Sequence, residues 1–368
     1  MKKYICIVLS ITLLFICGCN QSSGEKDTAL PEAKGEVEYF AHCLLSNGNI
    51  VKFYQDSAGM TMTKFQIVDT SSNKVIDDIS LEKYQLSPRL TIRTLGEGFY
   101  LKDHKYIVFD ETGQFVREIE IPTNINETSD CVVSNNAEKL AYTMVTNGED
   151  ESIWTFVTVD IDTNKITEVY KLTPITLGEP SFFTNFQFSS DDSKIMFTGI
   201  TNPTQDVCNE CYGQIDLKTM KIDMTVKDDI NGTFYGNTIF VFDDCVEINK
   251  DSSGKVIKYG GNENSKKIIH TQKPDESQFV RASNDENTFA TMSMGKKKNE
   301  VEFTIYEKGK LKSSKEFEFP TDDSYQRSTT GSTNFSYSTK SKKIYFDYWT
   351  VDDTNPWGLK HFAEIDME

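Results

Sequence analysis

A short segment recurs four times along the chain, and this repeat limits the possible folds more than any other feature of the sequence. Each copy has a Ser, then a polar run, then an alternating apolar run, and the copies span residues 133–142, 188–197, 282–291 and 337–346. Their serines are 55, 94 and 55 residues apart, and the middle interval leaves room for a degenerate copy near residues 236–240. The period is therefore about fifty residues, which is typical of units that cannot bury their apolar face alone.

A second repeat lies between copies of the first and predicts tight hairpins. In it a strand-like run ends in an acidic residue, a polar turn follows, and another run begins; clear copies lie at 69–74, 160–165 and 216–221, weaker ones at 110–114, 251–255 and 307–310. Asp, Asn, Ser and Gly suit such turns because they form local hydrogen bonds or tolerate left-handed backbone. Residues 363–366 resemble the first strand of a seventh hairpin without its return strand.

The runs between these turns predict an all-β body. No run from Val37 onward has the period of a long amphipathic helix, whereas runs such as 301–306 and 344–348 alternate apolar and polar residues. With 38% hydrophobic residues, including 24 Phe and 16 Tyr, the 368-residue chain can bury a large core. Four short strands per fifty-residue unit close most simply into a β-propeller of four-stranded blades. We predict seven blades, with six or eight as alternatives, and a solenoid or a pair of β-sandwiches as other architectures.

One copy of the first repeat carries a family resemblance. From Ser189 to Thr198 the chain has Ser-x-Asp-Asp-x-Lys-Ile-x-Phe-Thr, which resembles the Ser-Pro-Asp-Gly-x-x-Ile-x-Phe-Thr signature of WD-like propeller repeats. That signature occurs in the periplasmic protein TolB and in the propellers of prolyl-oligopeptidase-type enzymes. The Pro and Gly of the signature are replaced in every copy here, so the resemblance implies the propeller over residues 37–368 and no subfamily. It implies no peptidase activity, because the chain has no Gly-x-Ser-x-Gly nucleophile elbow.

The first 36 residues predict an exported, lipid-anchored protein. Lys2 and Lys3 precede an apolar run at 4–15, as in a secretory signal peptide. The following Ile-Cys-Gly-Cys at 16–19 resembles the lipobox of bacterial lipoproteins, and this resemblance implies cleavage before Cys19 and lipidation of its sulfur. A plain signal peptide or an uncleaved anchor are the alternatives.

These features divide the chain into three parts. We expect a lipoprotein signal peptide at 1–18, a lipidated Cys and flexible polar tether at 19–36, and the β-propeller at 37–368. The expected location is the bacterial cell membrane, with the body anchored on the extracytoplasmic side. Since 56 Asp and Glu outnumber 39 Lys and Arg, giving a net charge of -17, the chain would repel nucleic acid, and no nucleic-acid partner is expected.

Two of the eight cysteines have the spacing of a functional pair. Cys208 and Cys211 form a Cys-x-x-Cys segment, but no second pair and no His lies near them in the sequence. A tetrahedral zinc site would lack ligands, and the strand-then-helix setting of a thioredoxin-like site is missing. We therefore favour a disulfide between them or plain loop thiols, with a metal site and a redox role as the alternatives.

The remaining candidates for chemistry are scattered. His42, His104, His270 and His361 are far apart in sequence and are interpreted as ordinary strand or loop residues. Paired Asp residues such as 191–192 and 352–353 are interpreted as solvated turns, with calcium binding or catalysis as the alternatives. We assign no catalytic residue, metal or cofactor, and lean against an enzyme. The leading interpretation is a binding or scaffolding module whose propeller face holds an envelope protein or a small ligand; the alternative is an envelope hydrolase or lyase acting on glycans or peptides through acidic residues at the propeller channel.

Overall fold

The computed structural model describes most of the chain beyond its first 36 residues. The described residues are 37–121, 131–147, 152–172, 182–189, 191–201, 207–226, 230–231, 238–242, 245–250, 253–258, 267–271, 276–281, 288–295, 300–319, 324–325, 335–350 and 359–368. The chain divides into two compact units, Met1–Gly35 and Glu36–Glu368, and every described residue belongs to the second. The predictions for the signal peptide, Cys19 and the tether lie outside the described residues. None of the described segments is a helix long and apolar enough to span a membrane.

The second unit is built from 29 described strands and one short 3-10 helix, Glu82–Tyr84. The strands of the first three sheets are β1 (Val37–Leu44), β2 (Ile50–Asp56), β3 (Met62–Asp69), β4 (Lys74–Ser80), β5 (Thr91–Leu95), β6 (Gly98–Lys102), β7 (Lys105–Asp110), β8 (Phe115–Glu120), β9 (Cys131–Val133), β10 (Lys139–Asn147), β11 (Ser152–Asp160) and β12 (Ile166–Leu172). The next two sheets contain β13 (Phe182–Phe188), β14 (Lys194–Thr201), β15 (Val207–Asp216), β16 (Lys221–Val226), β17 (Ile230–Asn231), β18 (Thr238–Phe242), β19 (Cys245–Lys250), β20 (Ser253–Lys258) and β21 (Lys267–Thr271). The last two contain β22 (Glu276–Arg281), β23 (Thr288–Met294), β24 (Glu300–Glu307), β25 (Lys310–Glu318), β26 (Ser324–Tyr325), β27 (Phe335–Ser338), β28 (Lys343–Thr350) and β29 (Leu359–Asp366).

These strands form seven antiparallel sheets in the described part of the chain. The first six each order four consecutive strands side by side, and in the fourth sheet β17 also pairs with β15. In the last sheet, β26 and β27 both pair with one side of β28, and β29 pairs with the other side. The all-β class is confirmed, and the seven sheets match the predicted seven blades.

Neighbouring sheets contact one another in a ring, mostly through their first strands. Among these strands, β1 contacts β5, β9 contacts β13, β18 contacts β22 and β22 contacts β27; the fourth and fifth sheets meet through β14 and β18, and the second and third share an apolar cluster. The ring closes because β1 also contacts β27, β28 and β29 of the last sheet. A ring closed in this way leaves only short sheet edges exposed, which is the physical advantage of a propeller.

The two sequence repeats fall at fixed places in the blades. The Ser-containing repeat connects the first and second strands of the third, fourth, sixth and seventh sheets, and the Asp-containing repeat connects the third and fourth strands at 69–74, 160–165 and 216–221. The weaker copies in the fifth sheet occupy other positions in the blade. The hairpin predicted near 251–255 joins the second and third strands of that sheet, β19 and β20, and residues 238–242 form its first strand.

Carboxylates of the third-to-fourth-strand turns make the expected local hydrogen bonds. Asp69 Oδ1 accepts the N–H of Ser71 at 2.9 Å, and Asp216 Oδ1 accepts the N–H of Thr219 at 2.7 Å. The same pattern recurs at Asp110 and Asp160. These acidic residues therefore accept hydrogen bonds within their own turns, as their sequence context predicted.

The cores lie between neighbouring sheets, where aromatic side chains interdigitate. Between the first and second sheets, Phe53, Phe65, Phe99 and Phe109 are fully buried, and the Phe65 and Phe109 rings meet edge to face with centroids 5.0 Å apart. Similar clusters join the second sheet to the third, the third to the fourth and the sixth to the seventh. Burial of these rings is the main stabilising contribution to the ring of sheets.

Candidate functional site

The closure between the first and last sheets contains a buried cluster of titratable and nucleophilic side chains. Tyr39 and His42 come from β1, Ser336 from β27, Asp347 from β28 and Lys360 from β29. His42 is 0% exposed, Asp347 2% and Ser336 7%. Ionisable residues are rarely this buried unless they are paired, so this cluster is the candidate functional site.

Strand alternation explains how these side chains meet. On β28 the residues Tyr345, Asp347 and Trp349 share one face, and that face packs against β1. On β1 a register irregularity lies between Tyr39 and Ala41, where the pairing with β2 shifts by one residue. Such a bulge re-aims neighbouring side chains, and here Tyr39 and His42 both reach Asp347.

The cluster is a chain of hydrogen bonds centred on Asp347. Its Oδ1 lies 2.7 Å from His42 Nδ1 and also accepts the hydroxyl of Tyr39. On the other side of the imidazole ring, Nε2 lies 3.3 Å from the hydroxyl oxygen of Ser336. Because an ionised carboxylate can only accept, the proton of the His42–Asp347 bond belongs to Nδ1 of the imidazole.

The second carboxylate oxygen of Asp347 is stabilised differently. Oδ2 receives no hydrogen bond from the described residues, yet Lys360 Nζ lies 3.2 Å away as an ion pair. Burial alone would raise the pKa of Asp347. This effect is outweighed by the charge and hydrogen bond of His42, the charge of Lys360 and the hydrogen bond of Tyr39. Together they hold the pKa of Asp347 below its ordinary value. The carboxylate is therefore ionised and compensated at neutral pH.

An aromatic ring packs against the cluster. The Phe362 ring meets Tyr39 and His42 edge to face, with centroids 5.7 and 5.3 Å away, and Lys52 Nζ lies 3.8 Å from its centre. Burial also raises the pKa of the Tyr39 hydroxyl and of the neighbouring Cys43 thiol, although Cys43 as a whole residue is half-buried. Both groups therefore stay protonated and are poor nucleophiles.

The order Ser336–His42–Asp347 has the connectivity of a nucleophile, base and orienting acid. Catalysis by such a triad also requires that a substrate reach the hydroxyl. Here the hydroxyl lies in the contact between two sheets, and the imidazole beside it is fully buried. The arrangement is thus suited to holding β1 against β27 and β28.

Turn residues extend this polar contact between the first and last sheets. The carbonyl oxygen of Gly48 accepts hydrogen bonds from Thr70 at 2.7 Å and from Ser338 at 3.4 Å. Lys340 Nζ donates to Asn49 Oδ1 at 2.9 Å and lies 3.1 Å from Asp69 Oδ1. Gly48 has φ +81°, and a Cβ there would come within 2.9 Å of Lys340 Cβ, so the close approach of the two turns requires glycine.

The other residues singled out in the sequence do not join this cluster. His104 is exposed beside Asp103, while His361 stacks on Tyr348 and shares a 2.7 Å hydrogen bond with Thr350. His270 lies on β21. Among the described residues, no group of three or more His, Cys, Asp or Glu is placed to hold a metal ion.

Cys208 and Cys211 both lie on β15, where Cys208 is opposite Ile230 and Cys211 is opposite Gly199 and Val226. Three residues of extended backbone span about 10 Å between Cα atoms, more than a disulfide normally bridges. A disulfide between these two cysteines stays a prediction, and it requires the strand to depart locally from extended geometry.

The lowered pKa of Asp347 predicts a specific pH dependence of stability. A carboxyl whose pKa is lower in the folded than in the unfolded state stabilises the fold above its unfolded value, about 3.9, and loses that contribution as the pH falls through the folded value. We expect wild type to exceed Asp347→Asn in unfolding free energy at pH 7, and the difference to shrink below about pH 4. Urea unfolding from pH 7 to 3 measures this, with Asp366→Asn on an exposed part of β29 as control. A difference that stays constant over this range would contradict the assignment.

Comparison with known proteins supports the fold alone. No family model matches the chain, and no curated protein matches it in sequence. A solved structure of oligogalacturonate lyase in complex with manganese is similar, with a TM-score of 0.54 and 9% identity over 90% of this chain and 89% of that one. Prolyl oligopeptidase B from Galerina marginata, bound to a 25mer macrocyclization substrate, has a TM-score of 0.50 and 12% identity over 91% of this chain and 49% of that one. This chain thus spans about half of that peptidase. Its fold is the β-propeller predicted from the repeats.

Proposed function

We propose that the chain is a lipid-anchored, extracytoplasmic β-propeller that serves as a binding or scaffolding module of the bacterial cell envelope. The observation that carries the choice of binding over catalysis is the burial of the Ser336–His42–Asp347 chain in the contact between two sheets. These residues have the right chemistry for an acyl-transfer site, yet their burial between the two sheets favours a role in holding the ring closed. The lipobox resemblance at Cys19 supports the envelope location.

The ends of the propeller are the surfaces on which a partner would bind. One end carries the first-to-second-strand and third-to-fourth-strand turns, which are closely spaced and rich in polar groups. Neighbouring turns at this end are linked, since the N–H groups of Asn135 and Asn136 both donate to the carboxylate of Asp192 from the next sheet. Linked turns form a rigid surface, and rigidity lowers the entropic cost of binding a partner.

The proposal is tested by crosslinking in intact cells, followed by purification of the full chain and mass spectrometry of the proteins attached to it. Glu97→Arg changes the turn end of the second sheet, and Met60→Arg introduces the same side chain at the opposite end, where Met60 is 71% exposed. We expect a reproducible envelope-protein partner whose recovery falls about tenfold with one substitution and is unchanged with the other.

The opposite outcome would support the enzyme. If no protein is recovered with wild type, and the purified chain instead turns over glycans or peptides in a way that depends on acidic residues, the binding proposal fails. The folds of the lyase and the peptidase described above are compatible with either outcome, because one fold hosts many functions.

A further inference from the structure

In the described part of the chain, the last sheet ends at its third strand, whose outer edge is open. In each of the first six sheets a fourth strand covers the outer side of the third, whereas β29, the third strand of the last sheet, pairs with β28 and with no other described strand. Its residues are correspondingly less buried than those of β3, β7 and β24, the third strands of other sheets, and Leu359 is 38% exposed. An unpaired strand of eight residues is a template for pairing with another strand.

The backbone groups that face this edge can be identified. Met367, directly after β29, donates its N–H to the carbonyl of Lys342, and the pairing of β29 with β28 continues without a register shift. Hydrogen-bonding groups alternate in direction along a strand. The odd-numbered residues therefore bond to β28, and Lys360, Phe362 and Glu364 direct their N–H and C=O groups to the open edge.

The side chains on this edge are complementary to a second copy of the same strand. Charges on an edge strand normally oppose pairing, but here a basic and an acidic residue lie at equal distances on either side of Phe362. An antiparallel copy centred on Phe362 places Lys360 opposite the partner's Glu364, Phe362 opposite the partner's Phe362, and Leu359 opposite the partner's Ile365. Opposite charges and apolar or aromatic pairs at directly opposed positions are each favourable.

The same register extends an existing charge pattern. Within one chain, Lys343 Nζ lies 2.6 Å from Glu364 Oε1, and Lys360 Nζ lies 3.2 Å from Asp347 Oδ2. When the two edges pair, Glu364 of one copy lies beside Lys360 of the other. The charges of Lys343, Glu364, the partner's Lys360 and the partner's Asp347 then alternate in sign across four adjacent strands. An unrelated strand would not reproduce this pattern.

A segment of the same chain is a poorer occupant of this edge. The predicted tether, residues 19–36, is polar and contains Pro31 and Gly35, which are both depleted in strands.

We propose that two copies of the chain associate through the outer edges of β29, antiparallel and centred on Phe362, so that each copy supplies the fourth strand of the other's last sheet. The three pairs whose backbone groups face each other are Lys360 with the partner's Glu364, Phe362 with the partner's Phe362, and Glu364 with the partner's Lys360. They would exchange about six backbone hydrogen bonds. This inference is independent of the lipid anchor and of the proposed binding role.

The test is the mass of the full chain, purified in detergent micelles and measured by light scattering with correction for bound detergent. We expect twice the mass of one chain for wild type and for Glu364→Ala, which loses the ion pair with Lys343 but keeps its N–H. Glu364→Pro removes an N–H that faces the open edge and leaves the ladder to β28 intact, so we expect a single-chain mass.

A third substitution keeps the test valid if the proline variant does not fold. Glu364→Lys retains every backbone group but places Lys opposite the partner's Lys360, and we expect dimerisation about tenfold weaker than that of Glu364→Ala at low salt. A single-chain mass for wild type would overturn the proposal. So would a folded Glu364→Pro that remains dimeric, or a Glu364→Lys variant that dimerises as tightly as Glu364→Ala.

Discussion

Replacement of Asp347 by alanine should lower the free energy of unfolding by about 3–5 kcal/mol, the usual cost of removing one partner from a buried ion pair. The carboxylate is 2% exposed and accepts hydrogen bonds from Tyr39 and His42. Without it, the hydroxyl of Tyr39, the buried imidazole of His42 and the ammonium of Lys360 lose their shared partner. Urea unfolding followed by far-ultraviolet circular dichroism measures the change.

The matched control is Asp366→Ala, which removes a carboxylate from the same sheet at an exposed position opposite Lys343. Its expected effect is within about 0.5 kcal/mol. A double-mutant cycle with His42→Ala separates coupling from simple loss of packing, and we expect a coupling energy above about 1 kcal/mol. An Asp347→Ala variant as stable as the control would show that this cluster does not hold the ring closed.

The location of this cluster has a physical reason. Neighbouring sheets of the ring are joined by the chain itself, except where the last sheet meets the first, which are far apart in sequence. Apolar packing is non-directional, so it does not by itself determine which side chains meet at this junction. A chain of hydrogen bonds has one suitable geometry and therefore determines which side chains meet, because any other arrangement leaves buried polar groups unsatisfied.

The fold could be predicted from local patterns. Turn residues recur at the same positions in every sheet but the fifth, and the alternating runs between them define the strands, so the class, the four-stranded unit and the seven sheets could be predicted from the sequence. The two weak copies near 251–255 and 236–240 occupy other positions in the fifth sheet than the clear copies do in their sheets. Every tight hairpin uses the same few residue types, and turn composition alone does not distinguish the connection between one pair of strands from the next.

The cluster could not be predicted in the same way. His42 and Asp347 are 305 positions apart, and nothing local to either residue indicates the other. One signal was available: Asp347 interrupts the aromatic run of residues 344–348, where a charge among apolar neighbours predicts a buried carboxylate in need of a partner. Identifying that partner requires the ring to be closed in three dimensions.

A second large effect is expected at the N-terminus. Cys19→Ala should abolish incorporation of labelled fatty acid and release the body from washed membranes, because it removes the sulfur that the lipobox resemblance identifies as the acyl acceptor. Two or three acyl chains bind a bilayer stably, whereas a protein without them keeps only weak surface contacts. The apolar run at 4–15 is too short to span a membrane as a helix and would not replace the anchor.

Cys17→Ala is the matched control, since it removes a thiol from the same four-residue segment and leaves Cys19 in place. We expect this variant to incorporate label and remain with the membrane as wild type does.

If Cys19→Ala still takes up fatty acid and still sediments with membranes, the lipoprotein interpretation fails, and so does the envelope location that depends on it. If both substitutions abolish labelling, the segment matters for export but the acylated sulfur is not assigned to Cys19. Loss of label with Cys19→Ala alone would place the propeller at the membrane surface through an 18-residue anchor and tether at 19–36, within reach of envelope proteins.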